Sequence, residues 1–216
     1  MPAMKKFRLM LKRLIRYSAL AFVLLGLAAC ATGPVPDGAS PQRQSKKVKV
    51  SDETQATYQR ALWAVKSGRD AEALTLFKKV TAQNPDLAGG FINQGLLYLK
   101  VNKYPEAENA FKQAVTVNPA SAVGYNHLGV VYRYTGKFDE AKKAYMQALK
   151  INANYALAHL NLGILYDIYL QDFAQALNHY QRYKALNNND DAVDKWIVDL
   201  ERRLKRNNQA KTQQKG

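Results

Sequence analysis

The sequence predicts an all-α fold, a solenoid in which helical hairpins stack side by side. The main evidence is a repeat of 34 residues, which places Gly95, Gly129 and Gly163 at equal intervals. Other residues recur at the same interval: Tyr98, Tyr132 and Tyr166; Ala73, Ala107 and Ala141; Pro85 and Pro119. A fixed period of this length is typical of stacked supersecondary units and argues against a single globular core.

One repeat unit shows two amphipathic helices in succession. Tyr125, Gly129 and Tyr132 fall at i, i+4 and i+7, which is the spacing of one helix face. Gly136 then ends that helix. A second helical face follows it: Phe138, Ala141, Ala144, Tyr145 and Ala148. Each unit is therefore predicted to be a helical hairpin.

The three recurring glycines lie inside helices, where glycine costs about 0.5–1 kcal/mol relative to alanine. Something must offset that cost at Gly95, Gly129 and Gly163. We expect the two helices of each hairpin to approach closely there, with a large aromatic residue of the second helix filling the space above the glycine.

The recurring positions resemble the tetratricopeptide repeat: an aromatic residue, then Leu-Gly, then Tyr, then Ala four residues before an aromatic residue, with Pro near the close. The resemblance implies three clear hairpins and one degenerate N-terminal hairpin, together assigned to residues 52–188. The degenerate unit keeps its second half: Gly68, Ala73, Phe77 and Pro85. Gln94 replaces a Leu, His159 replaces an aromatic residue, and one extra residue lies between Tyr166 and Phe173.

A further helix is predicted at residues 189–206, after the array. Its apolar residues share one face: Val193, Trp196, Ile197, Leu200 and Leu204. Asp191 and Asp194 resemble an N-terminal cap pair. We expect this helix to cover the last repeat, and the polar residues 207–216 to form a disordered tail.

The N-terminus is predicted to be a lipoprotein signal peptide, residues 1–29. Six basic residues precede an apolar run from Ser18 to Ala29, which is too short to span a bilayer. The run ends Leu27-Ala28-Ala29-Cys30, which resembles a bacterial lipobox, and Cys30 is the only cysteine of the chain. The resemblance implies that Cys30 is lipid-modified and becomes the new N-terminus.

Residues 30–51 are then predicted to be the lipidated cysteine and a flexible, basic linker, since prolines and glycines discourage regular structure. The linker reaches at most about 70 Å when extended. The absence of Asp after Cys30 implies, by the same resemblance, an outer-membrane anchor facing the periplasm. Without the signal, the formal charge falls by six, from +15 to +9. The surplus would attract anionic partners such as lipid headgroups, acidic glycans or an acidic protein, and a merely solvated basic surface is the alternative; export argues against nucleic acid.

The sequence indicates no catalysis, no cofactor and no metal site. None of His127, His159 and His179 has a second ligand at the usual spacing, and no nucleophile or phosphate-binding motif occurs. Acidic pairs at the starts of second helices are expected to stabilise those helices by interacting with the positive end of the helix dipole.

In repeats of this kind the first helix of each hairpin lines the concave side, so a partner groove is predicted there. Its candidate residues, by repeat phase, are Ile92, Asn93, Leu96, Leu99 and Lys100; Asn126, His127, Val130, Arg133 and Tyr134; Leu160, Asn161, Ile164, Asp167 and Ile168. The amides could bond the backbone of an extended peptide, and Lys100 and Arg133 could hold a carboxylate. Packing of these residues against the linker, the last helix or another copy is the alternative.

The predicted function is a membrane-anchored envelope adaptor that binds a protein or peptide in this groove and serves the assembly of an envelope complex. Two alternatives stay open: a pilotin-like factor in type IV pilus or secretin assembly, and a structural oligomer that associates through its imperfect N-terminal end. An enzyme would need a nucleophile or metal cluster in the groove. The partner, the process and the oligomeric state are not specified by the sequence.

Overall fold

A computed structural model describes residues 50–187 and 190–213. The predicted signal peptide, Cys30 and nearly all of the linker lie outside these residues. The described part contains these helices: α1 Asp52–Lys66, α2 Asp70–Gln83, α3 Ala88–Lys100, α4 Tyr104–Val117, α5 Ala122–Tyr134, α6 Phe138–Ile151, α7 Ala156–Ile164 with a π-helical extension Leu165–Leu170, α8 Phe173–Leu186 and α9 Asp191–Gln213. None of them is both long enough and apolar enough to cross a membrane.

The helices pack as four successive hairpins, α1–α2, α3–α4, α5–α6 and α7–α8, and α9 packs on α8. Each second helix also contacts the first helix of the next hairpin. The core is consequently divided into local clusters along the stack, as in a solenoid. The predicted all-α solenoid, with its additional N-terminal hairpin and its C-terminal helix, is confirmed.

The recurring glycines lie where an aromatic ring of the second helix meets the first helix. A Cβ atom on Gly95 would stand 2.6 Å from the Phe111 ring, and a Cβ atom on Gly163 would stand 2.6 Å from the Tyr180 ring. These rings are fully or almost fully buried. The expected close approach is confirmed, and it explains why glycine occupies a helix interior there.

The turn inside each hairpin contains one residue in the left-handed conformation. Gly68 and Gly136 have φ of 72° and 77°, and Asn102 and Gln171 occupy the equivalent place with φ of 59° and 55°. A Cβ atom on either glycine would meet nothing within 4 Å, so glycine is favoured there by its backbone conformation. Glutamine has no such preference.

The extra residue of the last hairpin widens the end of its first helix. In the third hairpin the N–H group of Lys137, just after α5, donates to the carbonyl oxygen of Tyr132, five residues earlier in the chain. In the last hairpin the equivalent bond runs from the N–H group of Asp172 to the carbonyl oxygen of Tyr166, six residues earlier. The residues between form the π-helical turn Leu165–Leu170. The insertion lies where the sequence predicts it, but it forms helix rather than loop. Single π turns of this kind absorb one residue without ending a helix.

Helix α9 begins at a different cap from the one predicted. The carboxylate of Asp190 accepts from the N–H groups of Ala192 and Val193, at 3.1 and 3.3 Å. Asp191 is already helical, and Asp194 pairs with Lys184 at 2.6 Å. The helix also runs to Gln213, beyond the predicted end at residue 206. No glycine or proline interrupts residues 207–213, and glutamine, lysine and alanine favour helix.

Candidate functional site: the face of the first helices

The first helices lie closest together along one side of the stack. α3 contacts α5, and α5 contacts α7, in addition to the contacts within and between hairpins. Two hydrogen bonds cross between successive first helices: Asn161 Nδ2–H donates to Asn126 Oδ1 at 3.0 Å, and Asn93 Nδ2–H donates to the Tyr58 hydroxyl at 2.9 Å. We call this side, formed by α1, α3, α5 and α7, the inner face.

The predicted groove residues differ widely in exposure. Leu96 and Lys100 are exposed, whereas Asn126, Arg133 and Ile164 are buried. The others are partly buried: Ile92, Asn93, Leu99, His127, Val130, Tyr134, Leu160, Asn161, Asp167 and Ile168. The exposed residues of the predicted groove therefore both lie on α3.

The asparagines are largely engaged within the protein. Asn126 is fully buried and its oxygen accepts from Asn161. Both amide hydrogens of Asn93 have acceptors, the Tyr58 hydroxyl and the Gly89 carbonyl oxygen, which lies 2.8 Å away. The bonds between neighbouring helices fix the spacing of the repeats. They leave the Oδ1 atoms of Asn93 and Asn161 as the amide acceptors for a ligand.

The two predicted cations have different surroundings. Lys100 pairs with Asp70 at 2.5 Å, so its charge is compensated. Arg133 is only 4% exposed, and its Nε and Nη1 atoms are buried without a hydrogen-bond partner among the described residues. No carboxylate forms an ion pair with it in the described part of the chain. A buried guanidinium cannot lose its proton, so it remains an uncompensated positive charge.

Tyrosines surround Arg133 instead of acids. Its guanidinium carbon lies 4.9 Å from the Tyr134 ring centre and 5.9 Å from that of Tyr169. Tyr134 is itself stacked on Tyr104, with ring centres 5.5 Å apart. Burial raises the pKa of the Tyr145 hydroxyl beside Arg133, so that hydroxyl stays neutral. Rings stabilise a cation through their faces but supply no negative charge, and the site therefore favours an anionic group.

The third unit of the predicted groove is partly covered by α9. Ile164 belongs to one core cluster with Val193, Ile197 and Leu200 of α9, and Leu160 and Ile168 pack against that cluster. This packing against the last helix is the alternative that the sequence left open. It explains why Ile164, alone among the groove residues of the third unit, is buried.

The remaining acid of the predicted groove also faces α9. Asp167 lies 4.0 Å from Arg203 and accepts a long bond of 3.5 Å from the Tyr180 hydroxyl. Burial raises the pKa of this carboxyl, although the Arg203 charge acts in the opposite direction. α9 thus provides Asp167 with its cation.

The structure brings together two histidines whose contact the sequence does not predict. His159 on α7 and His179 on α8 bring their Nδ1 atoms to 3.0 Å. His159 Nε2 lies 3.0 Å from the Ala153 carbonyl oxygen, which can only accept, so Nε2 carries the proton. His159 Nδ1 then accepts from His179 Nδ1–H. Twenty residues separate the two histidines, and only the hairpin register brings them together. Within the described residues, no three potential metal ligands gather.

Burial, and secondarily the neighbouring imidazole of His159, lower the pKa of His179 to about 4. The His179 ring is also stacked on Tyr166, with centres 5.7 Å apart. His179 is therefore neutral at physiological pH, and its contact with His159 joins the two helices of the last hairpin.

Comparisons with known proteins agree with this architecture. Residues 92–133 match a family model described as a tetratricopeptide repeat, and residues 129–167 match a model described as a TPR repeat. No curated protein matches the chain.

Several solved structures have a similar fold. PilF of Pseudomonas aeruginosa has a TM-score of 0.65 at 19% identity, over 72% of this chain and 71% of PilF. MamA has a TM-score of 0.59 at 21% identity, over 65% of this chain and 81% of MamA. The first TPR domain of Spaghetti (RPAP3), bound to the HSP90 peptide SRMEEVD, has a TM-score of 0.52 at 23% identity, over 54% of this chain and 92% of that domain. The matched residues and the helix packing together identify an all-α solenoid of the tetratricopeptide-repeat type.

Proposed function

We propose that this protein is a membrane-anchored adaptor that binds a segment of a protein partner on its inner face. The observation that carries the proposal is Arg133, a buried cation that has no ion-pair partner among the described residues and lies beside the partly buried ring of Tyr134. Burying a charge is costly unless a counter-charge is supplied. A carboxylate from a partner would supply it.

The neighbouring surface indicates how the rest of the partner would bind. Leu96 is exposed, and Ile92 and Leu99 are only partly buried, so the α3 surface can cover apolar side chains. The free Oδ1 of Asn93 can accept a backbone N–H. The partner would therefore be an extended or helical segment with an acidic group and apolar side chains. The RPAP3 domain, whose bound HSP90 peptide contains two Glu and one Asp, shows that this fold can hold an acidic peptide.

The membrane anchor is the second part of the proposal. Its support is the sequence Leu27-Ala28-Ala29-Cys30 after a basic and apolar segment. Two or more acyl chains give stable attachment, whereas one gives marginal binding. The proposed location is the periplasmic side of the outer membrane. Changing Cys30→Ser should abolish fatty-acid labelling and release the protein from membranes. Membrane retention without the label would contradict the lipid anchor.

The groove is tested by removing one charge. Arg133→Met keeps most of the side-chain volume and leaves no cation, and Arg182→Met makes the same change at an exposed position of α8. Both proteins should keep the helicity of the wild type. Crosslinking in cells, followed by mass spectrometry, should recover the partner with wild-type and Arg182→Met protein and lose it with Arg133→Met. Equal recovery from all three proteins would place the partner elsewhere.

A role in type IV pilus or secretin assembly is the second candidate, brought forward by the similarity of fold to PilF. It predicts that deletion of the gene reduces surface pili or secretin multimers while the secretin monomer persists. Unchanged assembly would remove this candidate without affecting the adaptor proposal.

A further inference from the structure

Helix α1 exposes a face that every later first helix buries. Leu97, Val131 and Leu165 occupy one repeat slot and are 7%, 0% and 0% exposed, because each packs between hairpins. Trp63 occupies the same slot of α1, and it is 61% exposed. The reason is topological, since no hairpin among the described residues precedes α1.

The rest of this face behaves in the same way. Arg60 and Ala56, one and two turns before Trp63, are exposed. Their equivalents in the later units are buried: Gly90, Gly124 and Ala158; Gln94, Leu128 and Leu162. Arg60 occupies the slot that leucine fills in the last two units, and a charged residue is expected on a face that is exposed to water. Trp63 is not expected there, because an exposed indole leaves a large apolar area in water. We call the stripe of Ala56, Arg60 and Trp63, together with the exposed Lys66 at its border with the inner face, the N-terminal face.

Trp63 is surrounded by cations. Arg60 and Lys66 lie three residues to either side, on the same helix face, and neither has an ion-pair partner among the described residues. The guanidinium of Arg69 lies 4.0 Å from the centre of the Trp63 ring and also pairs with Glu72. The acids of α1 are in its first turn, at the other end of the helix.

From this arrangement we propose that the N-terminal face docks on an anionic lipid surface, with Trp63 at the headgroup level and Arg60 and Lys66 against lipid phosphates. Tryptophan beside lysine and arginine is the composition of membrane-interface segments. A second copy of this face is disfavoured, because it would bring like charges together.

The place of the face in the chain supports the same occupant. α1 is the first of the described helices, and Val50, which precedes it, lies 20 residues beyond Cys30. The sequence between them adds four more cations, Arg43, Lys46, Lys47 and Lys49. Basic residues next to an anchor strengthen attachment to anionic membranes. The inference rests on the proposed membrane location, and it would hold the array close to the bilayer by its first hairpin.

The test uses residues 43–216, which form a compact unit of their own and lack the anchor. The probes are vesicles of phosphatidylglycerol and phosphatidylcholine, compared with vesicles of phosphatidylcholine alone. In a Trp196→Phe background the emission reports Trp63, and it should shift to the blue only with the anionic vesicles. Cosedimentation of the protein with intact tryptophans should weaken about tenfold when Arg60 and Lys66 are both changed to Gln, and at least about threefold with Trp63→Ala.

The matched control changes two exposed cations of second helices, Lys143→Gln and Arg182→Gln, and should bind as the wild type does. Equal losses in the control pair would mean that net charge, rather than this face, binds lipid, and would overturn the proposal. So would an unshifted Trp63 emission with anionic vesicles. A shift that follows protein concentration without vesicles would assign the face to a second copy and likewise reject it. Each of these results is independent of lipidation at Cys30 and of partner binding on the inner face.

Discussion

The buried ring of Tyr145 lies 2.6 Å from the position that a Cβ atom on Gly129 would occupy. The ring cannot swing into solvent, because it is enclosed between helices α5 and α6. The same relationship joins a glycine and an aromatic ring in each of the three later hairpins. It is the contact that sets the distance between the paired helices.

Gly129→Ala should therefore destabilise the protein, although alanine is the better helix former by about 1 kcal/mol. Overpacking against Tyr145 is expected to cost about 1–3 kcal/mol. Urea unfolding followed by circular dichroism measures the difference. In a Tyr145→Ala background the ring is gone, so the same Gly129→Ala change should become stabilising. A stabilising effect in the wild-type background would show that the helices are not held by this contact.

The left-handed turn residues give a second prediction. Gln171 has φ of 55°, where a side chain costs about 1–2 kcal/mol. Gln171→Gly should raise the free energy of unfolding by about 1 kcal/mol, whereas Gly136→Ala should lower it by a similar amount. Asn102→Gly should change it little, because asparagine tolerates this conformation. Thermal melts of the three variants would test the order. Equal effects at Gln171 and Asn102 would contradict it.

Acid should weaken the fold through its histidines. Burial lowers the pKa of His127 to about 4, and burial with His159 lowers that of His179 to about 4. An unfolded histidine has a pKa near 6.5. A depressed histidine pKa contributes stability that is fully present above about pH 6.5, and this stability is lost as the pH falls toward 4.

Because both rings keep some contact with solvent, we expect each to account for about 1–2 kcal/mol rather than the full shift. His179→Gln should flatten the decrease in unfolding free energy between pH 7 and pH 5, the interval in which an unfolded histidine titrates. An unchanged slope in that variant would mean that His179 titrates normally in the folded protein.

The last helix is predicted to stabilise the array through its buried face. Leu200 is 1% exposed in the cluster that also holds Tyr183 and Val193. Leu200→Ala should cost about 2–5 kcal/mol. Val198→Ala, on the exposed side of the same helix, should cost less than about 0.5 kcal/mol. Similar melting temperatures for the two variants would contradict the packing of α9 on the last repeat.

The hairpins could be predicted from sequence because their signals are local and repeated. A glycine and an aromatic residue of one hairpin, such as Gly129 and Tyr145, are 16 residues apart, and the pair recurs in the last hairpin with one residue more between its members. The solenoid follows from that period alone. The lipid modification of Cys30 stays a prediction, since that residue lies outside the described part of the chain.

The state of each inner-face residue could not be predicted, because it depends on contacts between helices that the repeat does not specify. Repeat phase places Asn126 and Arg133 on the inner face. It does not show that Asn126 accepts a hydrogen bond from Asn161, or that three tyrosines surround the Arg133 side chain. In the same way, the exposure of Trp63 becomes visible only when it is compared with its buried equivalents.

Binding on the inner face is tested most directly by photocrosslinking in cells. A photoreactive amino acid would be placed at Leu96 on the inner face and, in a second strain, at Met146, which is 53% exposed on α6. Both substitutions are at exposed positions and should leave the fold intact. The account predicts that Leu96 gives a discrete partner adduct that disappears with Arg133→Met, and that Met146 gives none. An adduct from Met146 alone would contradict it.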